Sequence, residues 1–129
     1  MIIRIHDNDK FPYLEMAKVG RTESGLEIIV RSNDLGKLPH FHIIDTNKNS
    51  NNEGCVRIDE PYYFDHNGKA MHLNSTQRKE LIAFLSEPFR KPKFNGTNFE
   101  YIVQLWNINN SDVEIDDDIG MPDYSKLIF

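Results

Sequence analysis

Apolar and polar residues alternate along much of the first half of the chain, a pattern typical of half-buried β-strands. The alternation predicts strands at Met1–His6, Leu26–Arg31, His40–Asp45 and Cys55–Asp59. The pattern of Tyr13–Val19, which a glycine ends, fits either strand or helix. Because successive strand side chains point to opposite faces, we expect one face of each strand to be buried, namely the Phe41 and Ile43 face in the third.

Two hairpins are predicted around these strands. Thr46–Gly54 contains no apolar residue, so we expect a solvated loop that joins the third and fourth strands as an antiparallel pair. Further along, Tyr62–Phe64 and Lys69–Leu73 flank Asn67-Gly68. Asn-Gly is the strongest short hairpin signal, because both residues tolerate positive φ.

After Asn74 the apolar period changes, which predicts two helices. Asn74 with Gln77 and Thr97 with Glu100 form capping-box patterns at the two helix starts, and Pro88 stops the first helix. Apolar residues then recur at helical spacing: Leu81, Phe84 and Leu85 in the first helix, and Phe99, Ile102, Val103 and Trp106 in the second.

Strands followed by helices predict an α+β fold rather than a doubly wound one. We expect an antiparallel, twisted sheet of about five to six strands, with two C-terminal helices packed on one face. Residues 1–129 are expected to form one domain with an acidic tail at 111–129. The predicted core comprises Ile3, Ile5, Ile28, Val30, Phe41, Ile43, Val56, Ile58, Leu81, Phe84, Leu85, Phe99, Ile102, Val103 and Trp106.

Composition narrows the functional classes. The formal charge is −5 and the pI about 5.5, which is unfavourable for direct binding to nucleic-acid phosphates. The single cysteine excludes an internal disulfide and fits a reducing compartment. The sequence shows neither a long apolar run nor a signal-peptide pattern, so we expect a cytoplasmic protein without a membrane partner.

His40 and His42 share one face of the third predicted strand and form the main candidate for chemistry. Such a His-x-His pair can bind zinc or another transition metal. Further ligands would come from this set: His6, Asp34, Asp45, Cys55, His66 or His72. The alternative is a structural role without a cofactor, in which the imidazoles form hydrogen bonds and pack. Cys55 is likewise either a nucleophile beside a histidine or a small buried side chain.

The stretch Ser32–Asp45 resembles a family of small bacterial and phage proteins catalogued as a domain of unknown function (number 4160). The family hallmark is N-D-H…P-P-H-x-H, and five residues here match it: Asn33, Asp34, Pro39, His40 and His42. Leu35 and Leu38 stand where the family has histidine and its first proline, and the turn is slightly longer. Members often lie beside toxin–antitoxin or other mobile-element genes, so the resemblance implies a setting more than a chemistry.

The C-terminal tail offers a candidate surface for a partner. Its carboxylates are those of Asp112, Glu114, Asp116, Asp117 and Asp118. Three interpretations stay open: a solvated tail, a cation site, and a contact for a basic protein, in which the interleaved apolar residues could dock as an edge strand. Tyr62 and Tyr63 are adjacent in a predicted strand, so one is expected to face solvent, where tyrosine suits an interface.

Two functional hypotheses follow. The first is a small acidic, non-enzymatic binding protein from a bacterium or phage that docks to another protein. A toxin–antitoxin-associated protein or an anti-defence inhibitor, such as an anti-CRISPR protein, would be of this type, and its partner could be a basic nucleic-acid-binding protein. The second is a small metal-dependent hydrolase or nuclease that uses His40 and His42.

The Asn67-Gly68 turn generates a testable prediction. Gly68→Val should lower the melting temperature measurably, because a β-branched residue resists the positive φ of a type I′ turn. Thermal unfolding checks this, and an unchanged melting temperature would contradict the hairpin.

Overall fold

The protein is built from a sheet followed by two helices. The computed structural model describes residues 16–31, 38–46, 53–65, 73–91 and 93–127. These ranges contain five strands and two α-helices: β1 (Met16–Arg21), β2 (Leu26–Arg31), β3 (His40–Asp45), β4 (Glu53–Arg57), β5 (Tyr63–Asp65), α1 (Ser75–Ser86) and α2 (Asn98–Asn109). The predicted α+β class is confirmed. No helix in the described part of the chain is long and apolar enough to cross a bilayer.

The sheet is a meander in which each strand pairs with the next one in sequence. Its order is β1-β2-β3-β4-β5, and all four pairings are antiparallel. The predicted pairing of β3 with β4 is confirmed. Among the five strands of the described ranges, β3 is the central one. The predicted strand Met1–His6 and the Asn67-Gly68 turn lie outside the described residues.

Several element boundaries differ from the prediction, and the fourth strand, for example, ends at Arg57 instead of Asp59. Gly20 does not end the first stretch but lies inside β1, next to a register shift between Lys18 and Gly20. A Cβ at Gly20 would lie 2.7 Å from Phe84 Cζ, so the glycine makes room for the helix that covers this face. The predicted loop Thr46–Gly54 includes two residues that belong to a strand: Glu53 and Gly54 pair with β3 as the start of β4.

Both helices begin where the capping boxes predict. The Gln77 backbone N–H donates to Asn74 Oδ1 at 2.8 Å, and the Asn74 N–H donates to Gln77 Oε1 at 3.0 Å. Thr97 and Glu100 make the reciprocal pair at the start of α2. Such boxes satisfy backbone donors that a helix start leaves without intrahelical partners.

The main core lies between the helices and one face of the sheet. Helix α2 contacts β1, β2 and β3. The predicted core residues within the described ranges are buried, except that Phe84 is half-buried against the core, while Ile3 and Ile5 lie outside those ranges. The structure adds residues that the pattern did not assign to the core: Ala17, Val19, Leu26, Tyr63, Leu73, Phe89, Leu105, Tyr124 and Leu127.

Trp106 provides a test of this packing. Its side chain is fully buried, and its indole Nε1–H donates to the Val113 carbonyl oxygen at 3.0 Å. Trp106→Ala should cost about 3–5 kcal/mol of stability, measured by denaturant unfolding, because the truncation leaves a large cavity. Trp106→Phe is the control: it retains a ring, loses the donor and should cost less. Native fluorescence typical of tryptophan in water would contradict the burial.

Candidate functional site

His40 and His42 lie on one face of the central strand, as predicted, but that face is also enclosed. The exposed fraction is 3% for His40 and 0% for His42. Phe41 and Ile43, on the opposite face, are fully buried as well. The expectation that only the Phe41 and Ile43 face is buried is therefore wrong, because β3 is covered on both sides.

Cys55 joins the two histidines to form a buried cluster. Strand register places Cys55 directly opposite His42, and directly opposed side chains are close neighbours in a sheet. Cys55 is 1% exposed, and its Sγ lies 3.6 Å from His42 Nδ1. One ligand atom from each of the three residues lies within 4.8 Å of the others. We call these three residues the His–Cys cluster.

Asp45, the one other predicted ligand among the described residues, does not join this cluster. Asp45 lies an odd number of residues from His40 and His42 on β3, and its side chain therefore points to the opposite face. The remaining predicted ligands lie outside the described residues: His6, Asp34, His66 and His72.

Each imidazole is oriented through its Nδ1 nitrogen. His40 Nδ1 contacts the Leu38 carbonyl oxygen, and His42 Nδ1 lies 2.6 Å from Glu53 Oε2. A carbonyl oxygen and an ionised carboxylate are both acceptors only. Each Nδ1 atom is therefore the donor and carries the hydrogen. The lone pair of each ring in its neutral form is then on Nε2.

Glu53 and Arg31 extend the cluster, and the sequence interpretation missed both. Glu53 precedes Cys55 by two residues on β4 and therefore shares its face. Arg31 reaches across β3 from β2, with Nε 3.2 Å from Glu53 Oε2 and Nη2 3.1 Å from the same oxygen. The spacing of two residues between Glu53 and Cys55 is the sequence signal that they share a strand face. The polar run Thr46–Gly54 predicts a loop at Glu53, so the sequence alone does not place Glu53 on the strand.

The geometry does not form a nucleophilic triad. In such a triad, the histidine contacts the nucleophile through one ring nitrogen and the carboxylate through the other. Here Cys55 and Glu53 both approach His42 through Nδ1. The enclosed position of the cluster also gives a substrate no direct approach to these atoms.

The acidic tail packs against the helical layer instead of forming an edge strand. Val113, Ile115 and Ile119 pack against the core. Asn107 on α2 fixes the backbone between them, because its Oδ1 accepts from the Ile115 N–H at 2.8 Å and its Nδ2 donates to the Ile115 carbonyl at 2.9 Å. The predicted partner-contact carboxylates of this stretch stand exposed: Glu114, Asp116, Asp117 and Asp118. We call residues 114–118 the acidic segment.

Asp112, the remaining predicted carboxylate, has its backbone in a short 3₁₀ turn, Ser111–Val113, just before the acidic segment. The end of the tail is fixed at a second point. The Tyr124 hydroxyl donates to the Arg57 carbonyl oxygen at 2.6 Å. Burial raises the pKa of Tyr124, and the nearby Asp59 carboxylate raises it further, so this hydroxyl keeps its proton throughout the physiological range.

The two adjacent tyrosines differ in exposure. Tyr62 is 55% exposed, whereas Tyr63 is 9% exposed and belongs to the core. Of the two residues predicted to contact a partner, Tyr62 is therefore the one at the surface. The Tyr63 side chain serves packing.

Comparison with protein-family models, curated proteins and solved structures finds no match to this chain. The resemblance of the stretch around His40 and His42 to the bacterial and phage family therefore stays a prediction.

The enclosure of Cys55 generates a prediction for thiol chemistry. In native buffer, a thiol reagent such as a disulfide dye should modify Cys55 orders of magnitude more slowly than in denaturant, because the reaction has to wait for local opening. Cys55 is the only cysteine, so the signal needs no correction. Immediate stoichiometric labelling of the folded protein would show that the face carrying His40 and His42 is open.

Proposed function

We propose that this protein is a non-enzymatic docking protein that binds a basic surface of another protein through its acidic segment. The observation that carries the proposal is the combination of exposed carboxylates with a backbone fixed on α2. A partner of matching chemistry is a nucleic-acid-binding protein, whose phosphate site is basic. Asp112, next to the segment, and Tyr62, on the turn between β4 and β5, are further proposed contacts.

The fixed backbone favours binding because less conformational entropy is lost on association. Beyond the Asn107 contacts with Ile115, the Asp118 N–H donates to Asp116 Oδ1 at 3.1 Å, and Asn107 Nδ2 donates to Asp117 Oδ1 at 3.0 Å. These bonds hold the backbone of the segment and the Asp116 and Asp117 carboxylates in one arrangement before a partner arrives. A disordered acidic tail would have to order itself on binding.

The charge of the segment is not neutralised within the part of the chain that the structure describes. None of the ion pairs among described residues involves Glu114, Asp116, Asp117 or Asp118. Their charges form part of the whole-chain charge of −5, and their field attracts positively charged surfaces. Complementary charge of this kind raises association rates and suppresses acidic partners.

The competing proposal, a metal-dependent hydrolase or nuclease at His40 and His42, receives less support. A catalytic zinc site keeps one coordination position open to water and substrate. Both histidines and Cys55 are enclosed, which favours a structural role for this face.

The biological setting rests on the family resemblance. A bacterial or phage protein encoded near toxin–antitoxin or defence genes could act by occupying the phosphate-binding surface of a nucleic-acid enzyme. An acidic segment fixed in place would then mimic the charge of the nucleic acid that this enzyme binds.

A charge-neutralising variant tests the docking function. Asp116→Asn, Asp117→Asn and Asp118→Asn together retain the side-chain oxygens that accept the local hydrogen bonds. Stability should change by less than about 0.5 kcal/mol per substitution, as is usual for surface positions. A partner captured from the native host should bind this variant more slowly, and its affinity should depend less on salt. Surface plasmon resonance with the purified partner measures both.

The matched control neutralises three exposed carboxylates elsewhere: Glu23→Gln, Glu60→Gln and Glu87→Gln. It changes the net charge equally and should retain nearly the wild-type association rate. Equal association rates and salt slopes for the two triple variants would count against the acidic segment as the docking surface.

A further inference from the structure

We propose that the His–Cys cluster (His40, His42 and Cys55) binds one zinc ion as a structural site between β3 and β4. The proposal concerns the enclosed face of the sheet and goes beyond the docking function of the exposed acidic segment. The two are independent, because neither predicts the outcome of the other's experiment.

The donor set matches zinc. Two imidazoles and one thiolate are ligands that zinc accepts in structural sites, and the soft thiolate disfavours magnesium and calcium. In a tetrahedral zinc site, ligand atoms are about 3.3–3.6 Å apart, as bond lengths of about 2.0 Å to nitrogen and 2.3 Å to sulfur require. In this structure, one possible donor atom from each of the three residues lies within 4.8 Å of the others. Cys55 Sγ lies nearest His42 Nδ1 in this structure, so the Cys55 side chain would have to rotate toward the Nε2 edge of the ring to share an ion with it. One water enclosed beside the ion would complete the tetrahedral shell.

The second shell is the observation that distinguishes this cluster from an ordinary group of buried side chains. Metal-binding histidines nearly always donate their other ring N–H to a backbone carbonyl or a carboxylate. His40 donates from Nδ1 to the Leu38 carbonyl, and His42 donates from Nδ1 to Glu53. In both rings, Nε2 is then the nitrogen that carries the lone pair for a metal.

Glu53 is itself held in place for this role. Arg31 contacts both carboxylate oxygens, at 3.2 Å for Oε1 and 3.1 Å for Oε2. A carboxylate in this position fixes the orientation of the His42 ring, and such outer-shell partners support metal binding. Arg31 therefore holds the Glu53 carboxylate, and Glu53 in turn orients the His42 ring.

The surroundings indicate a structural rather than a catalytic ion. The His40 ring packs against Trp106 with ring centroids 5.5 Å apart, and Ile29, opposite His42 on β2, is fully buried. Such an apolar shell restricts access of water and substrate. Binding would release the Cys55 thiol proton to solvent as the sulfur–zinc bond forms. Because the ligands are enclosed, the ion would enter as the chain folds.

The first experiment measures metal content and metal-linked stability of the full chain. Protein from cells grown with zinc should contain close to one zinc per chain by elemental analysis. Apoprotein, prepared by unfolding with a chelator, should refold with a higher melting temperature when Zn²⁺ is present, because a ligand of the native state stabilises it. Cys55→Ala should retain a folded state and lose the zinc-dependent shift.

Cobalt provides a measurement that does not depend on the Cys55 variant folding. Co²⁺ added during refolding of the wild-type chain should give the near-ultraviolet charge-transfer band of a cobalt–thiolate bond. It should also quench Trp106 fluorescence, because the ion would be bound beside the His40 ring that Trp106 contacts. Both signals should saturate at one equivalent, and excess Zn²⁺ should reverse them on refolding.

A matched pair of variants tests the second shell. Glu53→Gln should weaken zinc binding by about 10–100-fold, as loss of an outer-shell carboxylate typically does. Glu27→Gln is the control: Glu27 projects on the same face of the sheet and pairs with Lys18 at 3.1 Å, and its loss should leave zinc affinity unchanged.

Several results would overturn the proposal. They are wild-type protein without stoichiometric metal together with no zinc-dependent melting shift, cobalt binding without a thiolate band, and equal zinc affinity in Glu53→Gln and Glu27→Gln. The cluster would then be a metal-free hydrogen-bonded group. Loss of partner binding in the acidic-segment variant would have no effect on any of these readouts.

Discussion

The structure depends on the central strand β3, which is paired on both edges and covered on both faces. The polar side chains of β3 are buried, so each of them needs a partner inside the protein. On one face, Phe41 and Ile43 are apolar and pack into the main core, so their side chains need no such partner. On the other face, His40 and His42 find their partners in Leu38, Glu53 and Cys55.

Trp106 connects the two regions that carry the functional proposals. Its ring packs against His40, and its Nε1–H holds the Val113 carbonyl where the acidic segment begins. Asn107, the next residue on α2, holds the segment itself. The position of α2 therefore supports both the enclosed His–Cys cluster and the exposed carboxylates. A residue that packs in this way can serve docking without touching a partner.

Local patterns predicted the helices and most strands, because the signals that define them lie within a few residues. The Asn74 and Thr97 capping boxes are local hydrogen-bond arrangements, and both form as the sequence indicates. The apolar stripe Phe99–Trp106 faces the core, since helical spacing puts those residues on one side of α2. The local pattern does not predict the place of Gly20 inside β1, because the glycine makes room for Phe84, a residue more than sixty positions away in the chain.

The sequence by itself determined the α+β class, the helix starts and the placement of His40 and His42 on one strand face. Only the tertiary structure decided that Cys55 is the residue opposite His42, that Glu53 and Arg31 stand behind it, and that both faces of β3 are buried. The physical reason is that strand register and the covering of a face arise from contacts between distant residues. A period of two assigns a residue to a face, but it does not show what lies opposite that residue or above it.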